Sequence, residues 1–430
     1  MTRGGYRPGA GRTAIEGKEL KIKLSNEICE QLELNFTGKT VQDRIRECLE
    51  FGLKAKEKNT LNISTKQYNV LDLFSGAGGL SRGFMDAGFN VVLGVDFDDA
   101  ALKTFQENHG HAEIMKLDLF DHNNINKIVE YLEEKQINLD VLVGGPPCQG
   151  FSLAGKREEF DKRNVLYSAM VKTAERLKPK MVVLENVPGM LTLYNGAGAQ
   201  RVREDFENIG YELETPKILY APEYGVPQIR KRVFFVMKLK GEITGTFKYP
   251  EPELSESEFI TTEQAISDLP SLIEVNDYSL NQIFDYPEKK LSIYQEFMRQ
   301  NSKQIHNHIP TKHADETIRL IKLVPEGKNY KALPQEELDK RQFKYNEALT
   351  RYHSKKPSRT IDTGHRTHFH YEYNRIPTVR ENARLQSFPD DFIFHGNKQE
   401  QYRQVGNAVP PLLGKAVAKQ IKELLDNEKI

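Results

Sequence analysis

Hydrophobic and polar positions along this chain recur with two different periods, and the changes of period mark its organisation. Between residues 18 and 24, Leu20, Ile22 and Leu24 alternate with Lys21 and Lys23, which predicts a short strand. Ser25 then supplies an N-cap for a helix over 26–34, ended by Gly38. Thr40 caps a second helix over 41–56, with Val41, Ile45, Cys48, Leu49 and Leu53 on one face. Residues 57–67 are polar and aperiodic, and read as a linker. From Tyr68 onward, apolar runs of strand length alternate with amphipathic stretches of helix length, the rhythm of an α/β domain with a mainly parallel sheet. The strands are predicted at 70–74, 91–95, 114–117, 141–143, 181–184 and 233–237, and helices at 80–87, 99–108, 125–135 and 165–177. From about Lys238 to Arg351 the rhythm dissolves into polar, Pro-containing, charge-mixed sequence. A Pro-started helix over 412–425 closes the chain.

The apolar runs are most informative at their ends, because open α/β sheets bind ligands beyond the carboxyl ends of their strands. The first passes into Ser75-Gly76-Ala77-Gly78-Gly79, and the second ends in Asp96, about twenty positions after Gly76. Glycines there let the backbone approach a nucleotide, and a carboxylate takes ribose hydroxyls. The dinucleotide fingerprint fails, since the order is G-x-G-G and Ser81 holds its last glycine position. That counts against NAD or FAD and for a ligand with adenosine but no pyrophosphate, which S-adenosylmethionine fits. The third run ends in Asp118, placed either for an adenine edge or as a helix N-cap.

The fourth run stops at Gly144-Gly145-Pro146-Pro147-Cys148, where two prolines stiffen the turn that carries the thiol. A lone Cys is either a nucleophile or a small buried hydrophobe. The following loop, with Gly150, Gly155, Lys156, Arg157, Lys162 and Arg163, suits a polyanionic substrate. The fifth run ends in Glu185-Asn186-Val187-Pro188-Gly189, and a Glu abutting an apolar strand is costly to bury without a partner or a role. Arg230 and Arg232 alternate into the last run on one face. They are either cleft-facing guanidinium groups seeking anionic or carbonyl partners, or a solvated basic edge.

Composition adds bounds. The 430 residues suffice for two or three domains. Lys plus Arg equals Asp plus Glu at 61 each, so only local clustering, not net charge, speaks of partners. Cys29, Cys48 and Cys148 are too few and scattered for a disulfide framework or a zinc site, which fits a reducing cytoplasm. No apolar run approaches a membrane span, so a soluble cytoplasmic protein without membrane partners is expected. Residues 1–17, rich in Gly and Arg, predict a flexible basic arm. It either tracks phosphates through Arg3, Arg7 and Arg12 or merely solubilises.

Six motifs in order carry a resemblance: DLFSGAGG from Asp72, PPCQGFS from Pro146, ENVPG from Glu185, QIRKR from Gln228, TVRENARLQSFPDDF from Thr378 and QVGNAVPPLL from Gln404. From Tyr68 to the C-terminus the chain resembles the DNA cytosine-5 methyltransferase family. The resemblance implies a Rossmann-like domain over 68–237 that binds S-adenosylmethionine and a smaller target-recognition region over 238–351. It implies closing motifs over 352–430, whose last helix returns to the cofactor-binding turn. Cofactor contacts are implied for Phe74, Gly76, Gly78, Asp96, Phe97, Asp118, Leu119, Pro146, Asn407 and Ala408; Asp96 departs from the family's commoner Glu. In the implied chemistry Cys148 attacks C6 of a cytosine flipped out of duplex DNA. Glu185 binds N3 and the exocyclic amine, Arg232 holds O2, and Arg230 steadies the pocket.

DNA contacts are implied for Ser152, Lys156, Arg157 and Arg163. Further donors are expected from His306, Asn307, His308, Lys312, His313 and the 328–331 stretch, and backbone contacts from His365, Arg366, His368 and His370. The histidines have no Cys nearby and irregular spacing, so no metal is expected. Residues 18–56 resemble a ribbon-helix-helix unit, which dimerises through its strands and would aim Lys21 and Lys23 at the major groove; a plain helical packing segment is the alternative. The expected role is site-specific modification in a bacterial or phage-encoded, nucleoid-associated restriction–modification system with a companion endonuclease. Self-repression through the N-terminal unit is an added expectation. Methylation of transfer RNA, or repression by an inactive methyltransferase body, are the rivals.

Overall fold

The structure, a computed structural model, describes residues 67–147, 164–192, 196–273, 275, 277–340, 342, 348–364 and 368–428, together with 28, 29, 32, 40, 41, 44 and 45. The chain divides into two compact units, Met1–Lys66 and Gln67–Ile430. In the first, Ile28, Cys29, Leu32, Val41, Arg44 and Ile45 are helical and Leu32 is buried. The predicted strand with Lys21 and Lys23 lies outside the described residues.

In the second unit the alternating rhythm becomes β1 (Asn69–Leu73), α1 (Gly79–Asp86), β2 (Asn90–Asp96), α2 (Asp99–Asn108), β3 (Glu113–Lys116), α3 (Asn124–Glu134), β4 (Val141–Gly144), α4 (Asn164–Leu177) and β5 (Met181–Asn186). There follow α5 (Gly189–Thr192), α6 (Ala197–Asn208), β6 (Tyr211–Leu213), β7 (Lys217–Tyr220) and β8 (Lys231–Leu239). The sheet runs β3-β2-β1-β4-β5-β8-β6, with β7 also on β8. Its first five strands are parallel, and β8 is antiparallel to β5, β6 and β7. Parallel strands are covered on both faces, which is why their sequences are continuously apolar. Alternate residues serve opposite faces. Val70, Val141, Val143 and Val183 join Leu80 and Phe84 of α1, while Leu71, Leu73, Leu142 and Leu184 join residues of α3, α4 and α6.

Strand order reverses between β1 and β4, the place where an open α/β sheet forms its crevice. Gly144, the last residue of β4, pairs with Leu73 on one side and Leu184 on the other. A Cβ on Gly144 would stand 2.6 Å from Leu73 O and 2.7 Å from Met170 Sδ, so only glycine fits between these strand ends. β5 runs two residues past its predicted end. Glu185 is therefore a strand residue, paired opposite Phe234, and not a residue of the following turn.

Beyond β8 come α7 (Thr262–Ile266), α8 (Ile293–Arg299), α9 (Asp315–Leu323), α10 (Gln335–Asp339), β9 (Thr350–Arg351), β10 (His368–Phe369), α11 (Val379–Leu385), α12 (Lys398–Asn407) and α13 (Pro411–Asn427). Of these, α7, α8, α11 and α12 pack on a largely aromatic core that includes Tyr294, Tyr352, Phe388, Phe392, Phe394 and Tyr402, whereas α9, α10 and β10 surround a smaller one with Ile321, Leu338 and Phe369. The long helix α13 lies on α1 in the first core layer; a Cβ on Gly83 would meet Lys415 N at 2.5 Å.

Three expected DNA donors are structural instead. Asn307 is buried, with its Nδ2 donating to Phe394 O at 2.8 Å and its Oδ1 accepting Phe394 N at 2.9 Å. His308 is buried between Thr378 Oγ1 (2.8 Å) and Pro270 O (2.9 Å). His370 is buried and its Nδ1 accepts the N–H groups of Glu372 and Tyr373 at 3.0 and 3.1 Å. Burial pushes the imidazoles of His308 and His370 down to about 4 and about 3, so both are neutral cross-links at physiological pH. Short elements leave many backbone groups without helix or sheet partners, and these polar side chains satisfy them. His365 and Arg366 lie outside the described residues.

Candidate functional site

The first half of the site is a cradle beyond β1 and β2. Phe74, Gly76 and Gly78 all have positive φ (60°, 52° and 91°), turning the chain sharply out of the sheet. Asp96 ties this turn to the end of β2: its Oδ2 accepts Gly76 N at 2.8 Å, and its Oδ1 accepts Phe97 N at 2.8 Å and Asp98 N at 3.0 Å. Burial raises the Asp96 carboxyl, and these N–H groups oppose the shift. Ser81, which breaks the dinucleotide fingerprint, donates to buried Asp72 Oδ2 at 2.6 Å. Burial, with the Asp96 charge adding, pushes Asp72 up to about 7.

Phe97 is 69% exposed beyond β2 and Phe120 48% exposed beyond β3, leaving apolar rings open to a purine face. Asp118 is exposed and caps no helix; its Oδ1 accepts Phe120 N at 3.0 Å, and the N-cap residue of α3 is Asn123. Leu119 is buried. A Cβ on Gly76 would meet nothing within 4 Å, so the turn opens onto free space. Open backbone, a carboxylate and exposed rings fit the ribose and adenine of S-adenosylmethionine.

His109 belongs to this cradle and carries no motif or periodic signal in the sequence. Its buried ring stacks on Phe105 at 4.1 Å, with Nε2 3.1 Å from Gly78 O and Nδ1 2.7 Å from Phe105 O. A Cβ on Gly78 would overlap the imidazole, so ring and glycine fix one another.

The second half lies across the switch point. Pro146 is buried and accepts Asn186 Nδ2 at 3.1 Å, which fastens the turn after β4 to the end of β5. A Cβ on Gly145 would stand 3.0 Å from Glu185 Oε2. Cys148, Ser152, Lys156, Arg157 and Arg163 lie outside the described residues.

Glu185 is 8% exposed, and Arg232 Nε stands 2.8 Å from its Oε1. The guanidinium N–H is not aligned on that oxygen, which has no geometric hydrogen-bond donor among the described residues. The pair is an ion pair with an acceptor left over. Burial raises the Glu185 carboxyl, and the opposing charges of Arg232 and Arg230 do not cancel it.

The two arginines, expected to share one face, divide the work. Arg232 remains partly exposed in β8 beside Glu185. Arg230 is 1% exposed and donates to Gly406 O (2.9 Å), Ala408 O (3.1 Å), Ile361 O (3.3 Å) and Gln228 Oε1 (3.4 Å). It grips the loop bearing Asn407, whose side chain is exposed, and does not face Glu185 as a paired ion. A second support of that loop is Gln386 Nε2, which donates to Ala408 O at 2.6 Å.

A family model of C-5 cytosine-specific DNA methylases matches residues 68–423. The chain is 35% identical over 382 residues to the Type II methyltransferase M.DdeI of Desulfomicrobium norvegicum, covering 84% of this chain and 89% of that one. It is 36% identical over 365 residues to the Type II methyltransferase M1.HphI of Haemophilus parahaemolyticus, covering 83% and 87%. Among solved structures, a prophage-encoded E. coli protein described as a DNA modification methyltransferase superposes with a TM-score of 0.69 at 26% identity, covering 84% of this chain and all of that one. Spodoptera frugiperda DNMT2, at 15% identity and a TM-score of 0.53 over 84% of this chain and all of that one, shares the fold alone. No helix among the described residues is long and apolar enough to cross a membrane. The cradle, the switch-point acid and these matches agree: the chain belongs to the C-5 cytosine-specific DNA methylase family and is a DNA cytosine-5 methyltransferase that uses S-adenosylmethionine.

Proposed function

We propose that the protein methylates C5 of a cytosine flipped out of duplex DNA through a covalent Cys148 adduct, as the site-specific modification enzyme of a restriction–modification system. The observation that carries the reading is the Glu185 carboxyl: buried, raised by burial, with one oxygen lacking an aligned donor, and beside Gly145 three residues before Cys148. A carboxyl held towards its protonated form can donate to N3 of a cytosine and accept from its exocyclic amine. Arg232 offers a guanidinium edge to O2. Together they draw electron density from the ring, so that the Cys148 thiolate adds to C6 and charge accumulates on C5.

S-adenosylmethionine, when bound, supplies an electrophilic methyl group to that carbon. Loss of the C5 proton then expels the thiolate and restores the aromatic ring. A stacked cytosine is out of reach of this arrangement, hence the flipped base. The relatives named as Type II methyltransferases support the modification role. Residues 18–56 then serve as a dimeric DNA-binding unit through Lys21 and Lys23, with operator binding as its regulatory use.

Cys148→Ser is expected to abolish tritium transfer from labelled cofactor to duplex DNA while leaving duplex binding intact; transfer at the wild-type rate refutes the adduct. Bisulfite sequencing of host DNA identifies the target cytosine. Parallel assays on duplex DNA and transfer RNA decide the substrate class, and equal or faster transfer to transfer RNA overturns the DNA reading.

A further inference from the structure

We infer that Arg230 is a positioning residue that couples occupancy of the cofactor cradle to the grip on the target base, an inference that rests on the proposed methyl transfer to duplex DNA. Arg230 is buried at 1% exposure, yet no carboxylate lies within ion-pair distance of it among the described residues. Among the described residues its buried Nε has no hydrogen-bond partner. An unpaired buried guanidinium is an expensive way to hold a loop, since neutral donors such as Gln386 already reach Ala408 O.

Its place explains the expense. On one side its terminal nitrogens hold the carbonyls of Gly406 and Ala408. That loop abuts the cofactor turn, because a Cβ on Gly79 would overlap Val409 O and come within 3.1 Å of Ala408 Cβ. The loop is also wedged from behind, since a Cβ on Gly406 would overlap the Asp362 carbonyl. It has no slack on that side. On the other side, Arg230 stands two residues before Arg232, whose Nε lies 2.8 Å from Glu185.

A ligand that fills the cradle presses on the 406–409 loop and changes how its two carbonyls hold Arg230. The guanidinium then shares its charge differently between the loop and Glu185, and with it the readiness of Glu185 and Arg232 to take a base. By linkage, a bound base tightens the cradle by the same factor.

The test is the ratio of duplex affinities with and without saturating S-adenosylhomocysteine, read by fluorescence anisotropy on labelled fragments of plasmid DNA. The full chain is used as wild type, Arg230→Lys and Arg230→Met. Wild type is expected to bind DNA about tenfold tighter with S-adenosylhomocysteine. Arg230→Lys, which keeps the charge but replaces the planar fork by a single nitrogen, is expected to bring the ratio near one. Arg230→Met is expected to do the same. A wild-type ratio near one, or an undiminished ratio in Arg230→Lys, overturns the inference. So does a variant that melts early and loses both ligands in proportion, since Arg230 would then serve folding only. Methyl transfer by wild type to the same fragments is scored separately: its absence refutes the proposed function, whereas transfer with an unchanged ratio in the variants refutes the coupling alone.

Discussion

Two buried carboxylate–guanidinium pairs in this protein have the same ingredients and opposite outcomes. Glu381 in α11 receives both arms of Arg375 (2.7 and 2.6 Å) and the Thr378 N–H at 2.7 Å, and lies 3.5 Å from His370 Nε2. Although burial acts against it, the Arg375 charge and the hydrogen bonds from that guanidinium hold its carboxyl far below the ordinary carboxylate range. Glu185, nearly as buried, has one guanidinium nitrogen at 2.8 Å, off line, and is raised. A neighbouring positive charge is thus not by itself enough to fix a buried carboxylate. The charge must come with donors aligned on both oxygens. A saturated pair has nothing left for a ligand, and an unsaturated one keeps an acceptor and a movable proton.

The closing region repeats the saturated design. Arg384, fully buried, donates to both oxygens of Asp390 at 2.6 Å, to Asp268 at 2.8 and 3.1 Å, and to Ala265 O at 2.9 Å. Arg380 holds the carbonyls of His306, Pro389 and Phe392. The motif from Thr378 to Phe392 is therefore a scaffold that fixes α11, and through Gln386 the loop at Ala408.

The contrast is broken most directly at Glu185. Glu185→Gln should slow methyl transfer about 10²- to 10⁴-fold with Tm at neutral pH unchanged or higher; a surviving rate would make Glu185 a structural group like Glu381. Arg384→Met should act the other way, destabilising by about 3–5 kcal/mol, because buried Asp390 and Asp268 lose their closest charged donors and keep only longer ion pairs to Arg380 (3.7 Å) and Arg299 (3.6 Å), with Tyr286 still donating to Asp390. Denaturant titration measures it, and activity per folded molecule should persist. Asp96→Ala should weaken S-adenosylhomocysteine binding about tenfold, in line with loss of a charged hydrogen bond, as read by calorimetry with duplex affinity unchanged.

The smallest effect sharpens the comparison through pH. Glu381, depressed from 4.5, contributes stability above that value that is lost as pH falls. The Tm deficit of Glu381→Gln should accordingly be full near neutrality and close in acid. Glu185, raised from 4.5, imposes a cost absent below that value and growing as pH rises through its native value. Any Tm gain of Glu185→Gln should therefore appear near neutrality and vanish in acid. Parallel curves for the two variants would erase the distinction.

By itself, the order of residues determined the β1-to-β5 rhythm, the glycine turn, and the acids Asp96 and Glu185 as site candidates. Strands covered on both faces must be apolar throughout, so a carboxylate or glycine at the end of such a run stands out. It also supplied six ordered motifs, from which Cys148 and its loop remain expectations outside the described residues.

Only the tertiary structure separated residues that look alike in sequence. Arg232 meets an acid, and Arg230, two positions earlier, meets carbonyls. His308 and His370 are neutral struts, His109 locks the cofactor turn, and Asn307 serves the core rather than DNA. Most of these roles depend on which backbone groups short, aperiodic elements leave unsatisfied, and that is decided by partners far along the chain, 31 residues away for His109 with Gly78, 87 for Asn307 with Phe394 and 176 for Arg230 with Gly406. No local pattern encodes such pairings, because a polar side chain reads the same in sequence whether water or a buried carbonyl receives its hydrogen bond.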